Sequence, residues 1–291
     1  MNFVISNDKL SVTVSPCGGE IMSIKGADGT EYVWQGDPEF WVRRTPQLFP
    51  FVGRLFGGKY TIDGEEYSLD IHGFLRDSEM ELAKKSESSL CLSLAANETN
   101  KALYPREWVL FITYTLSDST IIISFEVQNK GSKVMYFGYG GHPGFNVPLA
   151  AGLKFEDYYL EFSQECSPNA VNLSDTCFVV DGVTPFALKE GKWLPLAHSL
   201  FDRDAIVLCD MSRSVSIKSD KDGRFVRVDY PQMPFLGIWH KPLSEAPYVC
   251  IEPWVSLPGR QDVTECFETK SDLIKLSAGD TYKNDWSITV G

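Results

Sequence analysis

SVSIKSDKDGRFVRV, Ser214 to Val228, decides the fold class. Ser214-Val215-Ser216-Ile217-Lys218 and Phe225-Val226-Arg227-Val228 alternate apolar and polar side chains, the period of a half-buried strand. Between them Asp222-Gly223 tolerates the positive φ of a tight hairpin turn. The same pattern recurs outward along the chain. Tyr60-Thr61-Ile62 and Tyr67-Ser68-Leu69 flank Asp63-Gly64, Thr120 to Val127 runs into Asn129-Lys130-Gly131 and then Val134 to Phe137, and Leu188 to Leu194 turns across Glu190-Gly191. Almost nowhere do apolar residues hold a helical period. A short helical turn is predicted only near Asp37 to Trp41, where Asp37-Pro38-Glu39 reads as an N-cap followed by a first-turn proline. No Pro/Ser-rich linker divides the chain and no internal repeat is evident. Residues 1–291 therefore read as one all-β domain, a large antiparallel β-sandwich, a length such folds commonly reach as a single unit.

Charge and composition exclude several functions. The formal charge of -12, with no Lys/Arg-rich run to offset it, repels a phosphate backbone, so nucleic acid is excluded as a partner. No run of 18 apolar residues is present to span a membrane. The N-terminal MNFVISNDKLSVTV lacks a cationic leader with an apolar run behind it, so a cytoplasmic location is expected. Seven cysteines, odd in number and without a C-x-x-C pair, read as free thiols. The four histidines have no ligand-like spacing to one another or to cysteine, so no metal site is expected.

Four segments break the β pattern by mixing glycine or proline with a charged or imidazole side chain. In TPQLFPFVGRL, two prolines and a glycine forbid a regular central strand, and Arg54 sits among apolar neighbours where its donors need acceptors. In IHGFLRD, His72 is followed by Gly73, which lets backbone approach a ligand closely. In GYGGHPGFNVP, Pro143 disfavours the helical region for His142, so extended or turning backbone must aim its imidazole. In YVCIEPWV, an apolar run ends in Glu252 before a proline, and such a carboxylate is costly unless paired or functional. Each has a structural reading as well: Arg54 bridged to a buried carboxylate, His72 a satisfied core histidine, Glu252 paired with Arg54 or ending a strand at the surface. His198 and His240 have weaker contexts, with His240 expected at the rim.

Taken in order, FPFVGRL around Arg54, IHGFLRD around His72, GGHPGFNVPL around His142 and IEPW around Glu252 resemble the aldose 1-epimerases, the galactose mutarotase-like family, most closely its LacX-like branch. The resemblance implies a β-supersandwich holding a hexose, without metal or organic cofactor. It implies Glu252 as general base, His142 as general acid, His72 as the second active-site histidine and Arg54 as a sugar-binding arginine. A sugar-binding aspartate is implied too, and Phe201-Asp202-Arg203-Asp204 offers Asp204, favoured because it directly precedes an apolar strand, or Asp202. Acid and base chemistry suits these side chains: a Glu of ordinary pKa, about 4.3, is a carboxylate at neutral pH, and a His near 6.5 gives and takes a proton readily. Trp239, Trp254, Phe74 and Phe145 are candidates to stack on a sugar ring.

Two further functions compete. Arg76, with Arg54 or Arg43-Arg44, offers a clamp for a hexose 6-phosphate. A non-catalytic carbohydrate-binding protein would keep the fold and lose the acid and base together. The partner in every case is a small sugar, and the chain is read as a monomer or homodimer. The 163–181 loop, irregular in composition, is read as a pocket wall or a plain connection.

Overall fold

The structure is a computed structural model that describes residues 1–291. It is built almost wholly from antiparallel strands. One sheet of nine strands runs in the order Trp193–Pro195, Tyr159–Phe162, Ser214–Ser219, Asp222–Asp229, Thr281–Val290, Thr120–Asn129, Trp108–Ser117, Ser89–Ala95, Glu81–Lys85. A second, of eight, runs Val179–Pro185, Asn169–Leu173, Ile206–Cys209, Phe235–Trp239, Tyr248–Trp254, Gly140–Gly141, Gln47–Leu48, with Gly144–Asn146 also paired to Tyr248–Trp254. Leu110, Ile112, Ile121 and Ile288 from the first and Leu236, Ile238, Val249 and Ile251 from the second share one cluster of 62 buried residues, so the two sheets close on a common core. Burial of this aliphatic and aromatic surface is the main stabilising term.

The hairpins follow the alternating pattern, with three differences. Ser214–Ser219 and Asp222–Asp229 do pair, but the tip is Asp220-Lys221. A bulge after Ile217 sets Ile217 opposite Val226 and Val215 opposite Val228, all four in the core. Thr120–Asn129 pairs with Trp108–Ser117 on one side and Thr281–Val290 on the other, both ten residues long. With both its edges taken, Met135–Phe137 pairs instead with Ile274–Leu276, and the Asn129 side chain donates to the carbonyls of Lys133, Leu276 and Ser277 at the junction. Across Glu190-Gly191 only the Lys189–Trp193 bridge forms, because Trp193–Pro195 is drawn into the nine-stranded sheet.

Asp63-Gly64 turns as expected, with φ of 56° and 80°. Asp37 to Trp41 makes the single turn expected of it, the Asp37 carbonyl accepting from both Phe40 and Trp41. The one α-helix, Glu98–Leu103, begins with Asn97 and Asn100 capping each other's backbone N–H. No helix is long and apolar enough to cross a membrane, and all seven cysteines are free.

Candidate active site

Every residue of Tyr248–Trp254 is buried, so this strand is covered on both faces. Side chains alternate across a strand: Val249 and Ile251 enter the common core, while Tyr248, Cys250, Glu252 and Trp254 face away from it. That second face floors a cavity of about 280 Å³, at the small end of ligand pockets. Gly237 lies opposite Glu252 on the neighbouring strand and adds no side chain there. Of the residues singled out from the sequence, Arg54, His72, Arg76, His142, Asp204, Trp239, Glu252 and Trp254 line this cavity. A larger hollow between Asp157 and Lys221 lacks such convergence, its charges being paired as Lys221–Asp157 and Lys218–Glu161.

His142 reaches Glu252 through a break in strand pairing. Gly140–Gly141 and Gly144–Asn146 both pair with Tyr248–Trp254, and His142-Pro143 is the interruption between them. The His142 N–H donates to the Pro46 carbonyl at 3.0 Å. Its ring stacks on Trp41 at 4.8 Å between centroids, and its Nε2 lies 3.3 Å from Glu252 Oε2. Pro46 is itself held in place: the Glu20 carboxylate accepts from the Arg44 and Thr45 N–H groups at 2.5 and 3.0 Å. Glu252 is 2% exposed and His142 8%. Neither of the structural readings of Glu252 holds, since it pairs with His142 and not Arg54, and it sits mid-sheet.

Burial also changes its protonation. Glu252's carboxyl is held well above the ordinary range by burial and secondarily by Asp204, and burial drops the His142 imidazole to about 3. The two groups together resist net charge of either sign, so the pair keeps one proton and stays neutral overall. An ordinary carboxylate at position 252, expected from the sequence, is therefore corrected.

His72 stands on left-handed backbone, φ 67°. Its N–H donates to the Gly53 carbonyl at 2.8 Å and its Nδ1 accepts from the Gly53 N–H at 3.0 Å. With Nδ1 used as an acceptor, the neutral ring carries its proton on Nε2. Burial, then the neighbouring His142, Arg76 and Arg54, hold this imidazole well below its usual value and so neutral. Its ring lies edge-on to His142 at 5.4 Å, an N–H donor beside the His142–Glu252 pair.

Arg54 is exposed at the mouth and makes no ion pair, contrary to the bridge weighed for it. Asp204, at φ 77°, lines the cavity, whereas Asp202 is exposed outside it. Phe74 and Phe145 belong to the core, not to the sugar wall. His240, expected at the rim, is fully buried, its Nε2 3.1 Å from His198 Nδ1. Arg43 bonds the Arg76 carbonyl and Asp77, and Arg44 the Gln35 carbonyl, so neither joins a clamp in the cavity.

Sequence reasoning missed Trp41, and it offered a pocket wall only as one of two readings of the loop that holds Leu173 and Cys177. The 163–181 segment is a wall, contributing Leu173 and Cys177 beside Asp204, and the Cys177 thiol is pushed up to about 12 by burial and by Asp204. The only signal for Trp41 was its place in the Asp37 turn.

A family model described as aldose 1-epimerase matches residues 1–270. The plasmid-encoded protein LacX of Lactococcus lactis subsp. lactis is 36% identical over 300 aligned residues, spanning 100% of this chain and 99% of that one. Among solved structures, a galactose mutarotase related enzyme from Lactobacillus acidophilus superposes with a TM-score of 0.94 at 33% identity, covering 100% of this chain and 97% of the other. A galactose mutarotase-like protein from Lactobacillus casei ATCC 334 gives 0.95 at 29%, covering 100% of both.

Proposed function

Because the chain belongs to the aldose 1-epimerase family, we propose that it interconverts the α and β anomers of an aldohexose by opening and reclosing the ring. The observation that carries this reading is the buried His142–Glu252 pair, 3.3 Å apart, on the floor of a monosaccharide-sized cavity. One proton on the pair is either a carboxylic acid beside an imidazole or a carboxylate beside an imidazolium. In the second form Glu252 takes the proton of the anomeric hydroxyl while His142 gives one to the ring oxygen. The carbonyl then rotates, and the same two groups run the steps in reverse on the other face. The His72 Nε2–H polarises the sugar near the ring oxygen, and Arg54, Asp204 and Trp239 hold its hydroxyls and apolar face. A single domain operating in the cytoplasm on a free sugar fits this reading.

Polarimetric relaxation of freshly dissolved α-galactose, α-glucose and α-xylose tests it. Faster equilibration than in buffer is expected for at least one of them; no acceleration of any sugar leaves a binding protein. The pH dependence is specific. Since burial opposes both the loss and the gain of a proton by the pair, kcat/KM is expected to stay level as pH rises through about 6.5, where a free imidazolium would be lost. It should decline only on the alkaline side, where the pair gives up its proton. An optimum confined between about 4.3 and 6.5 would mean that the two groups titrate independently.

A second reading, a hexose 6-phosphate as the preferred substrate, is favoured by two guanidinium groups at one cavity. Arg54 has no ion pair, and Arg76, half-buried, leaves its Nε without a hydrogen-bond partner although it lies 3.3 Å from Asp77. On this reading Arg76→Ala lowers the preference for glucose 6-phosphate over glucose about 10- to 100-fold, the worth of charge-assisted bonds to a phosphate. NMR exchange rates on the two sugars measure it, and an unchanged preference removes the phosphorylated substrate.

A further inference from the structure

The donors on the floor of the cavity are more than an acid and a base. One rung from Glu252 on the same strand face stands Cys250, fully buried, and one ligand atom each from His142, Cys250 and Glu252 lies within 4.8 Å of the others. Spacing along the chain concealed this set, because Cys250 and Glu252 are joined by a strand pleat and His142 comes from more than a hundred residues away. A buried carboxylate ordinarily accepts several hydrogen bonds. Here Glu252 Oε2 lies 3.3 Å from His142 Nε2, the ligand atom of Cys250 is within 4.8 Å of those of both residues, and the buried His142 Nδ1 has no hydrogen-bond partner. Nitrogen, sulfur and oxygen donors thus converge around the His142 ring, which Trp41 and Trp239 flank, beside the cavity that His142 and Glu252 line.

We propose that His142, Cys250 and Glu252 form a binding site for a thiophilic divalent cation of the zinc class. Three protein donors of mixed N, S and O type with a fourth direction open to a cavity is the arrangement that zinc adopts when it keeps one exchangeable position. A thiolate and a carboxylate together balance the charge of a dication, which makes the filled site neutral in a buried setting. Small side-chain adjustments bring the three atoms to bonds of about 2.0–2.3 Å. This departs from the sequence expectation of no metal. The cation would occupy the very groups proposed as acid and base, so, granted that function, zinc acts as an inhibitor competing with the sugar.

Titration of the whole protein with CoCl2 reads the site directly, since a cobalt–thiolate bond gives a charge-transfer band that needs no enzymatic activity. One Co2+ per chain with such a band is expected. Cys250→Ser should abolish the band, and Glu252→Gln, which keeps the thiol, should retain it while weakening cobalt binding about 10- to 100-fold. Cys177→Ser, in the wall of the same cavity, should leave both unchanged. Absence of a thiolate band in the wild type at millimolar CoCl2, or a band lost with Cys177→Ser in place of Cys250→Ser, overturns the proposal. Circular dichroism of Cys250→Ser confirms its fold, and Glu252→Gln decides the matter should that variant misfold. ZnCl2 inhibition of anomer exchange adds a functional readout; if the protein exchanges no anomers, the cobalt band still stands or falls by itself.

Discussion

Glu252→Gln is expected to slow anomer exchange by about 10²- to 10⁴-fold, the range that one positioned proton transfer contributes, with little change in the fold. Glutamine keeps the shape of the side chain and can still face His142, but it cannot take the anomeric proton. The replaced group is a buried carboxyl that burial already keeps from ionising freely, so a neutral amide of the same shape adds little desolvation cost and the melting temperature should hold. The loss is expected in kcat, since ring opening is affected more than sugar binding. A variant that retains a third or more of the wild-type rate would place the base elsewhere, and a variant that melts well below the wild type would make Glu252 a structural residue.

Gly73→Ala is expected to cost about 3 kcal/mol of stability and nearly all activity. Gly73 has φ 71°, and a Cβ there would lie 2.3 Å from the Phe49 carbonyl oxygen. That oxygen accepts from the N–H groups of both Phe74 and Leu75. Left-handed strain of roughly 1–2 kcal/mol adds to the loss of hydrogen bonds worth about 1 kcal/mol each, and a chain of this size should melt roughly 5–10 °C lower. Gly64→Ala is the internal control: Gly64 has φ 80° but open space around it, so only the strain is felt. Equal losses at the two sites would show that the crowding at Phe49 is unimportant. Because His72 directly precedes Gly73, the displaced backbone also carries away the imidazole.

The strand content and the four site segments were legible because each is a local signal. Alternation over Ser214–Ser219 and Asp222–Asp229 is written in neighbouring residues, and glycine, proline and charge in GGHPGF mark a place where chain direction matters more than packing. The partner of Met135–Phe137 was not legible, since pairing with Ile274–Leu276 depends on both edges of Thr120–Asn129 being taken by strands distant in sequence. The protonation of Glu252 escaped for a related reason. A carboxyl's ordinary pKa belongs to water, and only the assembled cavity reveals that water has gone. Trp41 and Cys177 lacked any mark of their own, since they lie in irregular segments whose destination tertiary structure decides. Phe74 and Phe145 were the converse: adjacent to motif residues in sequence, they point into the core from the opposite side of the backbone.

The alternation along Tyr248–Trp254 ties the cavity floor to the core. Val249 and Ile251 seal the interior while Glu252, their immediate neighbour, faces the cavity. A base carried by a surface loop can be lost to local melting long before the protein unfolds. On the proposed function the base rides on the backbone that must give way for the core to open, so heat inactivation and global denaturation are expected to coincide.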